Sequence, residues 1–279
     1  MNVLVVGFGN MGRNHARVLR DLGHDVQTLD PADVGADHRM LSFEVISWAD
    51  TVCIATPIDE LARHAEAWIR RGKDVLVEKP GATDAATLAY LHDLAKQQGV
   101  RLSVGYTERH NPAVAVLADC LPGIGTLRHI TIRRLGYSDS TTDPTLNLAC
   151  HDLDVLYALA FGYVAVESTL TCEGHISAAL RGHYLEDKVT ISLEASHLHP
   201  TKTRYLEAVG SEGVLRLDYQ LRSVVRFDPE GDAQAVHVPT TEPLVREWEA
   251  FFDGDTTDGL APLALVEELQ ADASRLAVV

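Results

Sequence analysis

Three short motifs in this chain carry side chains able to do chemistry. Glu78-Lys79-Pro80 follows the apolar run Asp74-Val75-Leu76-Val77, which places Lys79 at the carboxyl end of a strand. That edge is where open α/β sheets hold their ligands. A lysine there is a compact cation that could polarise an alcohol oxygen or hold an amide. X-Pro bonds can be cis, and a cis Lys79-Pro80 bond would turn the lysine inward. Taken alone, Lys79 reads equally well as a surface lysine before a helix-opening proline.

The second motif, Asn147-Leu148-Ala149-Cys150-His151-Asp152-Leu153-Asp154, begins a helix. Asn147 and His151 are four apart and share a face, and His151 and Asp154 are three apart and also neighbours. Histidine titrates near neutrality, as a general base for an alcohol must. The chain holds 13 histidines, so a structural histidine is the competing explanation. The His and Asp residues near 151 lack further matching ligands, so no metal is expected.

The third motif is Gly7-Phe8-Gly9-Asn10-Met11-Gly12, which fits G-x-G-x-x-G. A lone match occurs in ordinary turns, but this one follows an apolar strand and opens a helix. There Gly7 allows the tight turn, Gly9 lets backbone approach a pyrophosphate, and Gly12 lets helix and strand pack closely. The first-turn amides around Phe8, Asn10 and Met11 would then hold phosphates at the helix N-terminus. Asp30 closes the second strand 18 residues after Gly12, near the spacing at which a carboxylate bonds the ribose hydroxyls of NAD. It would repel the extra phosphate of NADP, and Pro31-Ala32-Asp33 supply no arginine to reverse the choice. Thr56-Pro57, directly after the third strand, lie where a dinucleotide would run.

The elements that must position these residues alternate in the first half. Strands are expected at Val3 to Val6, Asp25 to Leu29, Thr51 to Ala55, Asp74 to Val77 and Arg101 to Gly105. Helices are expected from Met11 to about Leu22, Ile58 to Arg71 and Thr83 to Gln98, with Gly72 and Gly99 closing the last two. Strands separated by helices imply right-handed crossovers and a doubly wound parallel sheet. Beyond Asn111-Pro112 and one helix (Pro112 to Leu121), alternating segments appear: Thr126 to Leu135, Val164 to Cys172, Lys188 to Ala195, Arg204 to Val209, Val214 to Tyr219, Val224 to Phe227 and Ala235 to Val238. Ser211-Glu212-Gly213 and Asp228-Pro229-Glu230-Gly231 read as hairpin turns. A helix at about Leu146 to Phe161 interrupts a mostly antiparallel sheet, and two helices follow it. The expected division is a dinucleotide-binding domain over 1–112 and a second α/β domain over 113–279.

Composition narrows the partners. Hydrophobic residues make up 46% of the 279 and charged residues 23%, the balance of a soluble globular protein. Acidic residues number 40 against 24 basic, a formal net charge of −16. Such a surface repels phosphate backbones and anionic lipid, so neither nucleic acid nor membrane is an expected partner. Cys53, Cys120, Cys150 and Cys172 are far apart and read as free intracellular thiols. No targeting segment or apolar run of about 18 residues is visible, so a cytoplasmic location is expected.

The glycine turn, Thr56-Pro57, Glu-Lys-Pro and His-Asp-x-Asp, in this order, resemble the Gfo/Idh/MocA family of glucose–fructose oxidoreductase and inositol dehydrogenase relatives. The matching pieces are Gly7 to Arg17, Ala55 to Pro57, Gly72 to Gly81, Gly105 to Pro112 and His151 to Asp154. Glu108 to Pro112 and Gly210 to Gly213 are similar to the branch of UDP-N-acetylglucosamine 3-dehydrogenases. The resemblance covers the whole chain. It implies a Rossmann domain, then an α/β domain whose open, largely antiparallel sheet joins a homodimer or homotetramer. It implies a tightly bound nicotinamide cofactor, which Asp30 points to as NAD in preference to NADP, and a sugar, nucleotide-sugar or cyclitol substrate. Lys79 would lie near the reacting carbon and His151 would act as acid/base. Glu78, Lys79 and Arg109 would join the glycine turn, Asp30, Thr56 and Pro57 at the cofactor. Lys79, Tyr106, Arg109, Asn147 and His151 would meet the substrate.

One departure stands out. The family usually has an aspartate four residues before that histidine, where this chain has Asn147. An amide orients an imidazole or a hydroxyl but takes no proton; a proton relay would then use His151 alone, Lys79 or water, with Asp152 or Asp154 as electrostatic substitutes. The expected reaction is hydride transfer between the nicotinamide and an alcohol bound in the crevice between the domains. The alternatives are an NAD-binding sensor or scaffold that has lost catalysis, which only Asn147 favours, and a biosynthetic C=O or C=N reductase.

Overall fold

The computed structural model describes residues 1–32, 35–139 and 141–276. Asp33, the last residue read after the second strand, lies outside them. The first unit comprises Met1–Tyr106 and Leu244–Leu260. Its elements are β1 (Asn2–Val6), α1 (Asn10–Asp21), β2 (Asp25–Leu29), α2 (Phe43–Trp48), β3 (Thr51–Ile54), α3 (Ile58–Ile69), β4 (Asp74–Glu78), α4 (Ala85–Gln98) and β5 (Leu102–Gly105). The strands form one sheet in the order β2-β1-β3-β4-β5, every neighbouring pair parallel. This is a Rossmann fold. Val3 to Val6 are all buried, as a strand covered on both faces requires. Local signals set the helix limits: Asp84 caps α4 by accepting from the Thr87 amide at 2.7 Å, and Gly99 ends it in the left-handed region.

The return segment is the main departure from the expected 1–112 division. The helix Pro243–Asp253 supplies Leu244, Trp248 and Phe251 to a core shared with Val3, Val5, Val18, Leu19, Cys53 and Leu76. Trp248 is fully buried; a side chain of that size needs a deep apolar site with a partner for its N–H.

The second unit comprises Thr107–Pro243 and Ala261–Val279. Asn111 caps α5 (Pro112–Cys120) and Pro112 opens it. Then come β6 (Leu127–Tyr137), a π-helical turn (Thr145–Ala149), α6 (Cys150–Ala158), β7 (Phe161–Cys172), β8 (His175–Tyr184), β9 (Asp187–Ser196), β10 (Leu198–Gly210), β11 (Val214–Asp218), β12 (Ser223–Phe227) and β13 (Ala233–Val236), with α8 (Leu260–Leu276) last; α7 (Pro243–Asp253) is the return helix of the first unit. The strands form one sheet, β13-β12-β11-β10-β6-β9-β8-β7. It is antiparallel except where β6 meets β9.

β8 lies where no element was expected. Ile176, Ala178 and Leu180 are buried on alternate positions, but alanine is a poor strand former and blurs the pattern. Phe161, expected to end a helix, instead opens β7.

α6 is fastened to β6 by charge. Arg134 is 1% exposed. It donates from Nε and Nη2 to Asp152 of α6 at 2.7 and 2.9 Å and from Nη1 to Glu108 at 3.2 Å. Burial opposes the cation, but the charges of Asp152 and Glu108 outweigh it and raise the guanidinium's pKa. Removing one partner of such a pair strands the other charges. Arg134→Met should therefore cost about 3–5 kcal/mol, read as a lower urea midpoint at unchanged m-value. Arg134→Met with Asp152→Leu should recover part of that loss.

Candidate active site

In the first unit the glycine turn is shaped by what it excludes. Gly7 has φ +89°, and a Cβ there would lie 2.4 Å from the Ala55 carbonyl oxygen. A Cβ on Gly12 would lie 1.9 Å from the Gly7 carbonyl oxygen, whereas one on Gly9 would meet nothing within 4 Å. The first and third glycines are thus required by packing, and the second leaves open room beside the α1 N-terminus. Gly9 caps α1 without a side-chain bond, so the first-turn amides keep their donor capacity for a ligand.

Asp30 is tied to this turn. One carboxylate oxygen accepts from the Phe8 amide at 2.7 Å and the other from the Ala32 amide at 2.8 Å. Each oxygen has a second lone pair, so ribose hydroxyls could still donate to it. Arg39 donates to the Pro31 carbonyl at 3.2 Å, brought there because Leu29 bridges to His38. Reading only the residues next to Asp30 missed this guanidinium. Thr56 Oγ1 is buried without a hydrogen-bond partner, and buried hydroxyls normally have one. The open cradle at Gly9, the orphaned hydroxyl and the carboxylate at the end of β2 fit a dinucleotide.

Glu78, at the end of β4, is 7% exposed and lies 2.8 Å through Oε1 from His15 Nε2. Burial, followed by the charges of Glu78 and Glu247, holds the Cys53 thiol well above its usual range. Lys79 is half-buried and the Lys79-Pro80 bond is cis. Gly7 to Gly12, Asp30, Thr56, Pro57, Glu78 and Lys79 all lie at or just beyond the carboxyl ends of β1 to β4. Tyr106 departs from expectation. It is fully buried, with Gly259 packed against its ring, so it serves the core where a substrate contact was expected.

In the second unit, His151 is half-buried on the first turn of α6 and Asn147 is half-buried on the π turn before it. Single π turns are rare and concentrate at functional sites. The neighbouring aspartates are committed elsewhere. Asp152 holds Arg134, and Asp154, fully buried, accepts from Arg109 Nη2 at 2.6 Å and Nε at 3.1 Å. Each carboxylate's charge is thus balanced by an arginine. Arg109, expected at the nicotinamide or substrate, is a bidentate partner of α6.

The family profile "Oxidoreductase family, NAD-binding Rossmann fold" (GFO_IDH_MocA) matches residues 36–106. UDP-N-acetylglucosamine 3-dehydrogenase of Acidithiobacillus ferrooxidans is 28% identical over 171 residues, 57% of this chain and 54% of that protein. Inositol 2-dehydrogenase 2 of Saccharopolyspora erythraea is 29% identical over 178 residues, 56% of this chain and 52% of that protein. The matches thus span about half the length of these relatives. In structure, the Acidithiobacillus enzyme superposes with a TM-score of 0.83 at 19% identity, covering 99% of this chain and 98% of that one. KijD10, a 3-ketoreductase from Actinomadura kijaniata solved with TDP-benzene and NADP, gives 0.85 at 18% identity over 98% and 97%. These superpositions establish the fold. Over residues 36–106 the chain matches the NAD-binding Rossmann domain of the Gfo/Idh/MocA oxidoreductase family.

Proposed function

We propose that this protein is an NAD-dependent dehydrogenase or reductase acting on a secondary alcohol or ketone of a sugar, nucleotide sugar or cyclitol. The observation that carries the reading is the glycine turn, closed by packing at Gly7 and Gly12 and open at Gly9. When bound, the nicotinamide supplies the acceptor or donor of hydride. The chain's own groups do the rest. His151 takes the hydroxyl proton in oxidation and returns it in reduction. The Lys79 ammonium, at the carboxyl end of β4, is assigned to charge that develops during hydride transfer. Asn147 orients the hydroxyl, and Arg109, held by Asp154, keeps α6 in register. The names of the sugar-nucleotide and inositol relatives support the substrate class. Exposed Tyr163 and Leu170 on β7 support self-association through the second sheet, as a homodimer or homotetramer.

Asp30 favours NAD, because its carboxylate repels a 2′-phosphate. Arg39 beside Pro31 favours the second reading, NADP, because a guanidinium there could pair with that phosphate. Calorimetric titration separates the two. Asp30→Asn should improve NADP binding relative to NAD by about tenfold, ~1.4 kcal/mol, and Arg39→Ala should weaken NADP alone. If the wild-type protein binds NADP more tightly than NAD, the first reading is wrong.

The chemistry is tested by following absorbance of reduced nicotinamide against UDP-sugars, free sugars and inositols. Lys79→Ala should abolish turnover while leaving a folded protein that still binds NAD. His151→Ala should lower kcat by roughly 10²–10⁴-fold. Wild-type turnover in either variant would remove that residue from the mechanism.

A further inference from the structure

Three buried side chains from distant parts of the sequence form one hydrogen-bonded line in the first unit. The indole Nε1 of Trp248 lies 3.0 Å from His15 Nδ1, and His15 Nε2 lies 2.8 Å from Glu78 Oε1. His15 and Trp248 are fully buried, with their rings edge to face at 88°. An indole N–H can only donate, so His15 Nδ1 must accept. The ring proton therefore sits on Nε2 and is donated to Glu78. An imidazolium, with donors on both nitrogens, would set two N–H groups against each other at Trp248. The geometry selects one tautomer of neutral imidazole.

The ends of the line have consequences for the site. His15 stands three residues after Gly12 on α1, whose N-terminus forms the cofactor cradle. Glu78 is the residue before Lys79. Trp248 comes from the return helix, and its neighbour Glu247 is also buried, 3% exposed. A core histidine serving only itself could be satisfied by any backbone carbonyl. This one joins the cradle helix to the strand end that carries the lysine.

We propose that Trp248, His15 and Glu78 are positioning residues: the line fixes the Glu78 side chain, and with it the direction in which Lys79 leaves β4. The proposal rests on the role given above to Lys79, and its test has readouts that need no turnover. Trp248→Phe keeps the ring and removes only the donor. His15→Gln restores an acceptor toward Trp248 and a donor toward Glu78, and His15→Leu restores neither.

In nitrogen-detected NMR of histidine-labelled protein, His15 should show the neutral Nε2–H pattern, and Trp248→Phe should lose that single-tautomer signature. The acylation rate of Lys79 by a limiting reagent, followed by mass spectrometry, should change in Trp248→Phe and His15→Leu and return to the wild-type value in His15→Gln. With an active substrate, kcat should fall on the order of 10- to 100-fold in the first two variants, with KM and NAD affinity within about twofold. A proton on Nδ1 overturns the proposal. So do wild-type Lys79 acylation and kcat in a folded Trp248→Phe protein, or a His15→Gln variant as impaired as His15→Leu. If Lys79→Ala retains turnover while the tautomer is as stated, the reading of Lys79 fails and the hydrogen-bonded line stands.

Discussion

The first unit depends on a contact that tolerates no extra carbon. Gly12 lies so close to the carbonyl of Gly7 that a methyl group would overlap it. This lets α1 settle directly on the turn leaving β1, and it brings the helix N-terminus to the edge where the parallel strands end. Asp30 locks the same turn from β2 by accepting from the Phe8 amide. Residues that read in the sequence as cofactor ligands are therefore first of all structural. The carboxylate that could bond a ribose already bonds the backbone of the cradle.

The second unit solves a different problem, holding a helix with acidic residues over an apolar sheet. Buried carboxylates are costly unless paired. Asp152 and Asp154 answer this with Arg134 and Arg109, and Glu108 shares Arg134. The pairing commits both aspartates of that turn to arginines.

The parallel sheet was legible because its strands are short apolar runs separated by helices with clear caps, Asp84 and Gly99 among them. Motif residues confined to one strand end, such as Glu78 and Lys79, were equally legible. What stayed hidden is what depends on distant packing. His15 looked like one of many histidines until Trp248, more than two hundred residues later, supplied its partner. Arg39 could not be associated with Asp30 without the bridge that folds its segment back on β2. β8 was hidden by its alanines. Tyr106 was misassigned because its motif neighbours are polar, while its own ring fills a gap that Gly259 leaves open.

The return of Leu244–Leu260 to the first unit means that the nucleotide fold is not a cassette written in one continuous stretch. A fragment ending at residue 106 or 112 would lack the tryptophan that fills its core, and would expose Val3, Leu19 and Leu76 where that helix packs. During synthesis this half of the protein must wait for Leu244–Leu260 before it can close. Recombination that swaps one half while keeping the other would have to carry both pieces together.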